Sequence, residues 1–345
     1  RKEFGSNCTF IGVDKHVPSR VFTSVAGPVY LRPKYSIFRH AMQYTGAFNW
    51  VSNEWADFSF FPIPDGVLNG DSSLIFEWVD FEENDYRFSA YSQTRESMVG
   101  MPSYTLRNRI LDQVGSYCPN GSANKEFIRT LRGNYIIWNN AENTIQGSKP
   151  NTRGYEGKSP IITHPTQLGE PVDNGKTWAV NSWFNFDRTN MLSTLLRYPT
   201  FRNLLMQAGL YDSASNGFPF LEGGRYYTIL IPSDQALTDY QVDTLSKTDL
   251  ADFLLYHFIQ DNLIFTDNKS YAGDYYTLRT DETSFPTDYS TLNIRPGPDI
   301  IEILDTLGNP YVSIPEAVDI TNIMVSTYSQ TTAVIHEINE VLIKQ

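Results

Sequence analysis

Two rhythms of apolar and polar positions run along this chain. Tyr227 to Leu237, YTILIPSDQAL, sets a run of β-branched and apolar residues directly before Pro232, then Ser233 and Asp234, then a helix-like Gln-Ala-Leu. That pattern predicts a buried strand ending at a residue that cannot donate to a ladder, followed by a side chain able to cap the next helix. Thr200 to Leu210 has the helical rhythm, with Phe201, Leu204, Leu205 and Ala208 on one face and Gly209 as the stop. Asp249 to Ile259, DLADFLLYHFI, predicts a second helix, and Thr331 to Ile343, TTAVIHEINEVLI, alternates as a strand with one buried face does.

An earlier part of the chain repeats these stretches in the same order. Tyr35 to Gly46 places Ile37, Phe38, Ala41 and Met42 on one helical face before Gly46, and aligns Phe38-Arg39 with Phe201-Arg202. Phe58 to Leu68, FSFFPIPDGVL, answers YTILIPSDQAL, and Leu106 to Val114 answers Leu250 to Phe258. Gly175 to Phe184 answers the closing stretch, with Trp178 opposite His336 and Asn181 opposite Asn339. A repeat of this length is a duplicated domain rather than a solenoid unit.

The spacing between landmarks is longer in the first copy, so residues 69–104 are expected to be an elaborated loop or added hairpin. Gly133 to Ser148 reads as a hairpin, and Thr291 to Tyr328 as several short strands broken by Pro and Gly turns. The expected division is an N-terminal segment over 1–33, a first domain over 34–187 and a second over 188–345, with the boundary near Asp187 to Asn190. Ser19 to Pro33 reads as a linker with short extended pieces. Thr9 to Pro18 fits either an ordinary N-terminal strand or the closing strand of an earlier copy.

The three stretches of the second copy, taken together and in order, resemble a fasciclin-like domain, a secreted adhesion and matrix-binding module. The resemblance covers roughly Tyr35 to Ile343. It is specific in the second copy and degenerate in the first, which has Asp112-Gln113 where the second has Tyr256-His257, and Trp178 in place of His336. It implies an α+β fold, with each domain a β-wedge of two packed sheets and a layer of helices. It also implies a non-enzymatic protein, and it makes the Tyr256-His257 pair part of an adhesive surface.

Composition narrows the class. The 345 residues are 41% apolar and 19% charged, which suits two packed domains. A net charge of −12 makes nucleic acid a poor partner, since phosphate binding needs a basic field. No apolar run is long enough to be a transmembrane segment. The chain opens on Arg1 rather than Met, so a mature or excised form is expected, with any signal peptide or membrane anchor outside it. Cys8 and Cys118 are compatible with one disulfide or with two free thiols, and the count excludes a disulfide-stapled scaffold and a cysteine-built zinc site.

The chemistry-bearing patterns are few. G-x-S-x-G, H-E-x-x-H, G-x-x-x-x-G-K and G-x-G-x-x-G are all missing, so no catalytic residue, cofactor or metal is expected. Asp80, Glu82, Glu83 and Asp85 read as a solvated charged face, because Phe81 interrupts the spacing a calcium loop needs. On their own chemistry, His257 and His336 read as neutral core residues. Aromatic residues crowd the insertion and its approach: Trp50, Trp55, Trp78, Tyr86, Phe88, Tyr91 and Tyr104. Such rings stack on sugars and anchor interfaces, or else form a small core of their own.

The candidate ligand surface is therefore Trp50, Trp55, Trp78, Tyr86 and Tyr91, with Tyr256 and His257 from the resemblance. The expected function is adhesion to an extracellular protein or glycan at the cell surface. The alternative is a carbohydrate- or lipid-binding accessory of a surface uptake system. The Asp/Asn/Thr-rich turns and acidic balance favour a bacterial cell envelope, and Asn7, Asn120 and Asn268 would be glycosylation acceptors in a eukaryote.

Overall fold

The computed structural model describes residues 20–68, 102–148, 161–186, 195–214, 217–280, 288–314 and 332–343 in full. For Lys2–Phe4, Thr9–Ile11, Ile75–Asp80, Asp85–Ser92, Ser97–Gly100, Asp319–Met324 and residues 281, 330 and 331 it describes the backbone alone. Contacts divide the chain into Arg1–Cys118 with Thr166–Asn181, and Pro119–Pro165 with Ser182–Gln345. The fold is α+β in both units.

In the first unit, helix α1 (Ser36–Thr45) buries Phe38, Ala41, Met42 and Thr45, the spacing of a single helical face. Its free N-terminal amides are capped from a distance, since the Asp65 carboxylate accepts from Ser36 N–H and Ile37 N–H, both at 3.0 Å. Gly46 ends it at φ 66°, a left-handed conformation that suits glycine. Strand β1 (Phe58–Phe60) runs parallel to Gly175–Ala179 on one side. Helix α2 (Ser103–Leu111) leads into β2 (Val114–Gly115), which pairs antiparallel with the other side of β1.

The expectation of an extended linker over Ser19 to Pro33 does not hold. Arg20–Thr23 and Gly27–Tyr30 are short helices, and Val25, Ala26 and Val29 are fully buried. The reason is a pair of long-range hydrogen bonds: Val25 N–H donates to Asn174 Oδ1 at 2.8 Å, and Thr177 Oγ1 donates to Val25 O at 2.7 Å. Lys2–Phe4 and Thr9–Ile11 form a two-stranded antiparallel ladder. The insertion is more than one hairpin: Ile75–Asp80, Asp85–Ser92 and Ser97–Gly100 make a three-stranded antiparallel sheet. Asp80 and Asp85 are register partners at the end of its first pair of strands, while Glu82 and Glu83 lie outside the described residues.

The second unit opens with a four-stranded sheet of β3 (Lys125–Arg129), β4 (Tyr135–Asn139), β5 (Thr144–Gly147) and β6 (Ile162–Thr163). The expected hairpin over Gly133 to Ser148 is the β4–β5 pair. These residues group with the rest of the second unit rather than with the sequence before them. Phe127 stacks on Phe265 with ring centroids 4.7 Å apart, and Tyr135 packs against the same ring at a tilt, 5.0 Å away. Lys269 Nζ donates at 2.7 Å to the fully buried Glu126, which also accepts from Gly121 N–H and Asn140 Nδ2. Burial pushes the Glu126 carboxyl up, but these donors outweigh it and hold it below its usual range. A contact of this kind is invisible to periodicity, and the boundary expected near Asp187 to Asn190 lies outside the described residues.

Next comes α3 (Pro199–Gln207), with Phe201, Leu204 and Leu205 buried and Gly209 at φ 76° as its stop. Leu204 and Leu205 are 3% and 0% exposed, so either change to alanine should cost about 2–5 kcal/mol in chemical denaturation. Losses under about half a kcal/mol in both would contradict that packing. Strand β7 (Tyr226–Pro232) is buried along almost its whole length because it has a neighbour on each edge and layers on both faces. Ser233 Oγ then accepts from Ala236 N–H at 3.2 Å and caps α4 (Asp234–Asp239). Helix α5 (Lys247–Leu255) is capped in the same way by Ser246.

The remaining strands are β8 (Phe258–Gln260), β9 (Gly273–Asp281), β10 (Asp288–Gly297), β11 (Ile300–Leu304), β12 (Pro310–Ile314), β13 (Asp319–Met324) and β14 (Gln330–Ile338). They form one ladder in the order β12-β11-β10-β9-β8-β7-β14-β13. β7 is parallel to β14 and antiparallel to β8, the arrangement β1 has with Gly175–Ala179 and β2. The same local topology therefore occurs twice.

Candidate functional site

The duplication puts a polar side chain at the same buried corner in both units. Where α5 ends, Leu230 N–H donates to His257 O at 2.9 Å; where α2 ends, Phe61 N–H donates to Gln113 O at 2.9 Å. Gln113 and His257 are both fully buried. Gln113 Nε2 donates to Phe61 O at 2.9 Å. Register extends the match, since His336 faces Leu230 across the β7–β14 ladder, and Trp178 stacks on Phe61 with ring centroids 5.6 Å apart. What reads as degeneracy of the first copy is a different set of side chains filling the same positions.

His257 is a core clamp. Leu342 N–H donates to its Nε2 at 3.1 Å, which leaves the ring proton on Nδ1 to donate to Phe253 O at 2.9 Å. His336 donates from Nε2 to Ile264 O at 2.8 Å, and its Nδ1 is buried without a partner. Burial pushes each imidazole down to about 4, so both are neutral in the folded protein. Tyr256 is 6% exposed and its hydroxyl donates to Thr291 O at 3.1 Å. Tyr256 and His257 thus belong to the interior rather than to an exposed adhesive surface, because the helix end that carries them is covered by β10 and by the segment at Leu342.

Two clefts flank Tyr256. The larger, about 680 Å³, is lined by Tyr256, Tyr289 and Tyr311 with Asp274, Asn293 and Asp305 among its polar groups. The smaller, about 270 Å³, has Asp249, Asp252 and Arg279 around Phe253 and Tyr256. The Arg279 guanidinium lies over the Tyr256 ring, 5.7 Å from its centroid. Within the lining of the larger cleft Asn293 Nδ2 donates to Asp274 Oδ1 at 2.8 Å. Asp305 accepts from the N–H groups of Asn309 and Leu307 at 2.8 and 2.9 Å, and these donors hold its carboxyl below the usual range. Burial pushes the Tyr311 hydroxyl well above the range of a free phenol.

Sequence reasoning overlooked Tyr289, Asn293 and Tyr311. For Tyr289 and Asn293 the signal was available in β10, whose alternation buries Ser290, Leu292 and Ile294 and turns Tyr289, Thr291 and Asn293 to the open face.

In the first unit Trp50, on the helix Phe48–Val51, is 53% exposed and Trp55 is 90% exposed. Tyr104 is 60% exposed. Trp78 pairs with Tyr86, and Phe88 with Phe76, across the first two strands of the insertion; Tyr91 pairs with Met98. Their side chains lie outside the described residues. The Cys118 thiol donates to Phe58 O at 3.1 Å and burial pushes it up to about 11, while Cys8 lies outside the described residues. Among the described residues, no group of three or more His, Cys, Asp or Glu is placed to hold a metal ion, and no helix is long and apolar enough to cross a membrane.

Comparison with curated proteins finds no match. Among solved structures, the chain is similar to a FAS1 domain pair from the insect cell adhesion molecule fasciclin I, at 13% identity and a TM-score of 0.31, over 90% of this chain and 97% of that one. The family model described as Fasciclin domain matches residues 196–344, a span that begins just before α3 and ends just after Leu342, the residue His257 holds. Over residues 196–344, therefore, the chain resembles a fasciclin domain.

Proposed function

We propose that this chain is a non-enzymatic adhesion module of an extracellular or cell-envelope surface, built as two fasciclin-like domains in tandem and binding a protein partner. The observation that carries this reading is the resemblance to a fasciclin domain at residues 196–344, since domains of this family are generally associated with adhesion and binding. The recurrence of the β1 and β7 topology supports a second copy upstream. Linked modules gain effective concentration without any new contact, which suits weak surface adhesion. A bacterial envelope is the compartment the acidic, Asn/Asp-rich turns favour.

Beads coated with the folded chain should be retained several-fold better on bacterial cells or on immobilised extracellular proteins than beads coated with the heat-denatured chain. Equal retention on every surface tried overturns the reading. A second reading, glycan binding by a surface uptake accessory, rests on Trp50 and Trp55, whose rings are open to solvent within one short stretch. Glycan-array binding lost in Trp55→Ala would support it, and the same binding in that variant would remove it.

A further inference from the structure

We propose that the cleft of about 680 Å³ beside Tyr256 receives an arginine side chain from a basic segment of the partner protein. The proposal rests on the adhesion reading and names the chemistry of its partner. Three tyrosine rings and two carboxylates, Asp274 and Asp305, line this cleft, and its described lining includes no lysine, arginine or histidine. Asp305 is ionised at neutral pH because three donors of its own turn favour the anion. Two negative charges set among electron-rich ring faces select for a planar cation, which can stack on tyrosine while pairing with carboxylate.

Further observations point the same way. At the rim, Leu307 is 85% and Ile343 45% exposed, which gives the aliphatic stem of a long side chain an apolar path. The domain already uses the same recognition internally. Arg129 lies 5.6 Å from the Tyr226 ring centroid and donates to its hydroxyl at 2.7 Å, and Arg279 covers the Tyr256 ring from the neighbouring cleft. The chain's net charge of −12 would draw a basic segment in from a distance. Anionic ligands are excluded by the same charges, and a neutral glycan would leave both carboxylates without a counter-charge.

The test uses a short peptide of alternating arginine and glycine, and the same peptide with citrulline, a neutral isostere, for arginine. Calorimetry on the full chain should show binding that weakens at least tenfold with citrulline and again as salt is raised from 50 to 300 mM (about one to two decades by charge screening). Tyr289→Ala and the near-isosteric Asp274→Asn should each weaken it tenfold or more. Asp243→Asn, an exposed acid elsewhere on the domain, should leave it unchanged. Equal affinity for the citrulline peptide, or an affinity that Asp274→Asn and Asp243→Asn alter alike, overturns the proposal. So does a neutral oligosaccharide that perturbs the NMR signals of the cleft residues where the arginine peptide does not. If coated beads still adhere when Asp274→Asn and Tyr289→Ala are combined, this site fails while adhesion stands. If wild-type beads do not adhere, the adhesion reading itself fails.

Discussion

The second unit should lose stability steeply between pH 6.5 and pH 4. His257 and His336 are held neutral, each with its pKa pushed from the ordinary 6.5 down to about 4 by complete burial. Within that window the unfolded chain binds a proton at each histidine that the folded chain refuses, so acid favours unfolding; above pH 6.5 neither group contributes any pH dependence. Each pKa unit is worth about 1.4 kcal/mol, so each histidine accounts for roughly 3 kcal/mol across the window and the two for roughly 6. Asp267 works the other way, because burial raises its carboxyl and acid relieves it. Glu126 adds to the acid loss, its carboxyl being held low in the folded state.

The check is built into the chain's own duplication. Gln113 occupies in the first unit the corner that His257 occupies in the second, so His257→Gln is a substitution this fold already accommodates. Chemical denaturation at pH 7 and pH 4.5 should show the acid loss shrinking by about half in His257→Gln. An unchanged pH slope in that variant would rule out His257 as a source of the acid loss.

Local order was legible wherever one segment determines it. The corner from Tyr226 to Ala236 is a buried strand, a Ser233 cap and a helix because each feature depends on residues within a few positions of one another. The stops at Gly46 and Gly209 belong to the same class, since a left-handed φ of 66° or 76° selects glycine whatever surrounds it. Pairing Trp178 with His336, and Asp112-Gln113 with Tyr256-His257, proves geometrically sound even though the chemistry of the residues differs.

Burial was legible only in part. The neutral core place of His257 was readable from its own chemistry, but Tyr256 carries no sign in the sequence that β10 closes over it. The larger cleft was illegible for the same reason. Its walls come from the end of α5, from β9, β10 and β12, and from the turn at Asp305, pieces that only the antiparallel ladder brings together. The assignment of residues 119–165 to the second unit turns on Phe127 meeting Phe265 and Glu126 meeting Lys269, contacts with no periodic signature.

Gly175→Ala should be among the most damaging single changes in the first unit, with a loss above about 5 kcal/mol or no folded unit at all. Gly175 opens the closing strand Gly175–Ala179 and pairs with Phe58 in parallel register. A Cβ there would sit 2.0 Å from Phe58 O and 2.6 Å from Phe58 N, both backbone atoms of the paired strand that cannot swing aside as a side chain would. Its φ of 134° adds strain that an L side chain rarely bears, worth about 1–3 kcal/mol before any overlap is counted. Relief would require the ladder to β1 to part, and with it the anchor of the neighbouring Asn174, whose side chain accepts from Val25 N–H and donates to Val51 O. Gly46→Ala is the matched control: its φ of 66° is also left-handed, but nothing lies within 4 Å of the added carbon, so the loss should stay near the cost of backbone strain, about 1 kcal/mol. Thermal or denaturant unfolding of the two variants should therefore differ by several kcal/mol. Equal losses would mean that Gly175–Ala179 does not pair with β1.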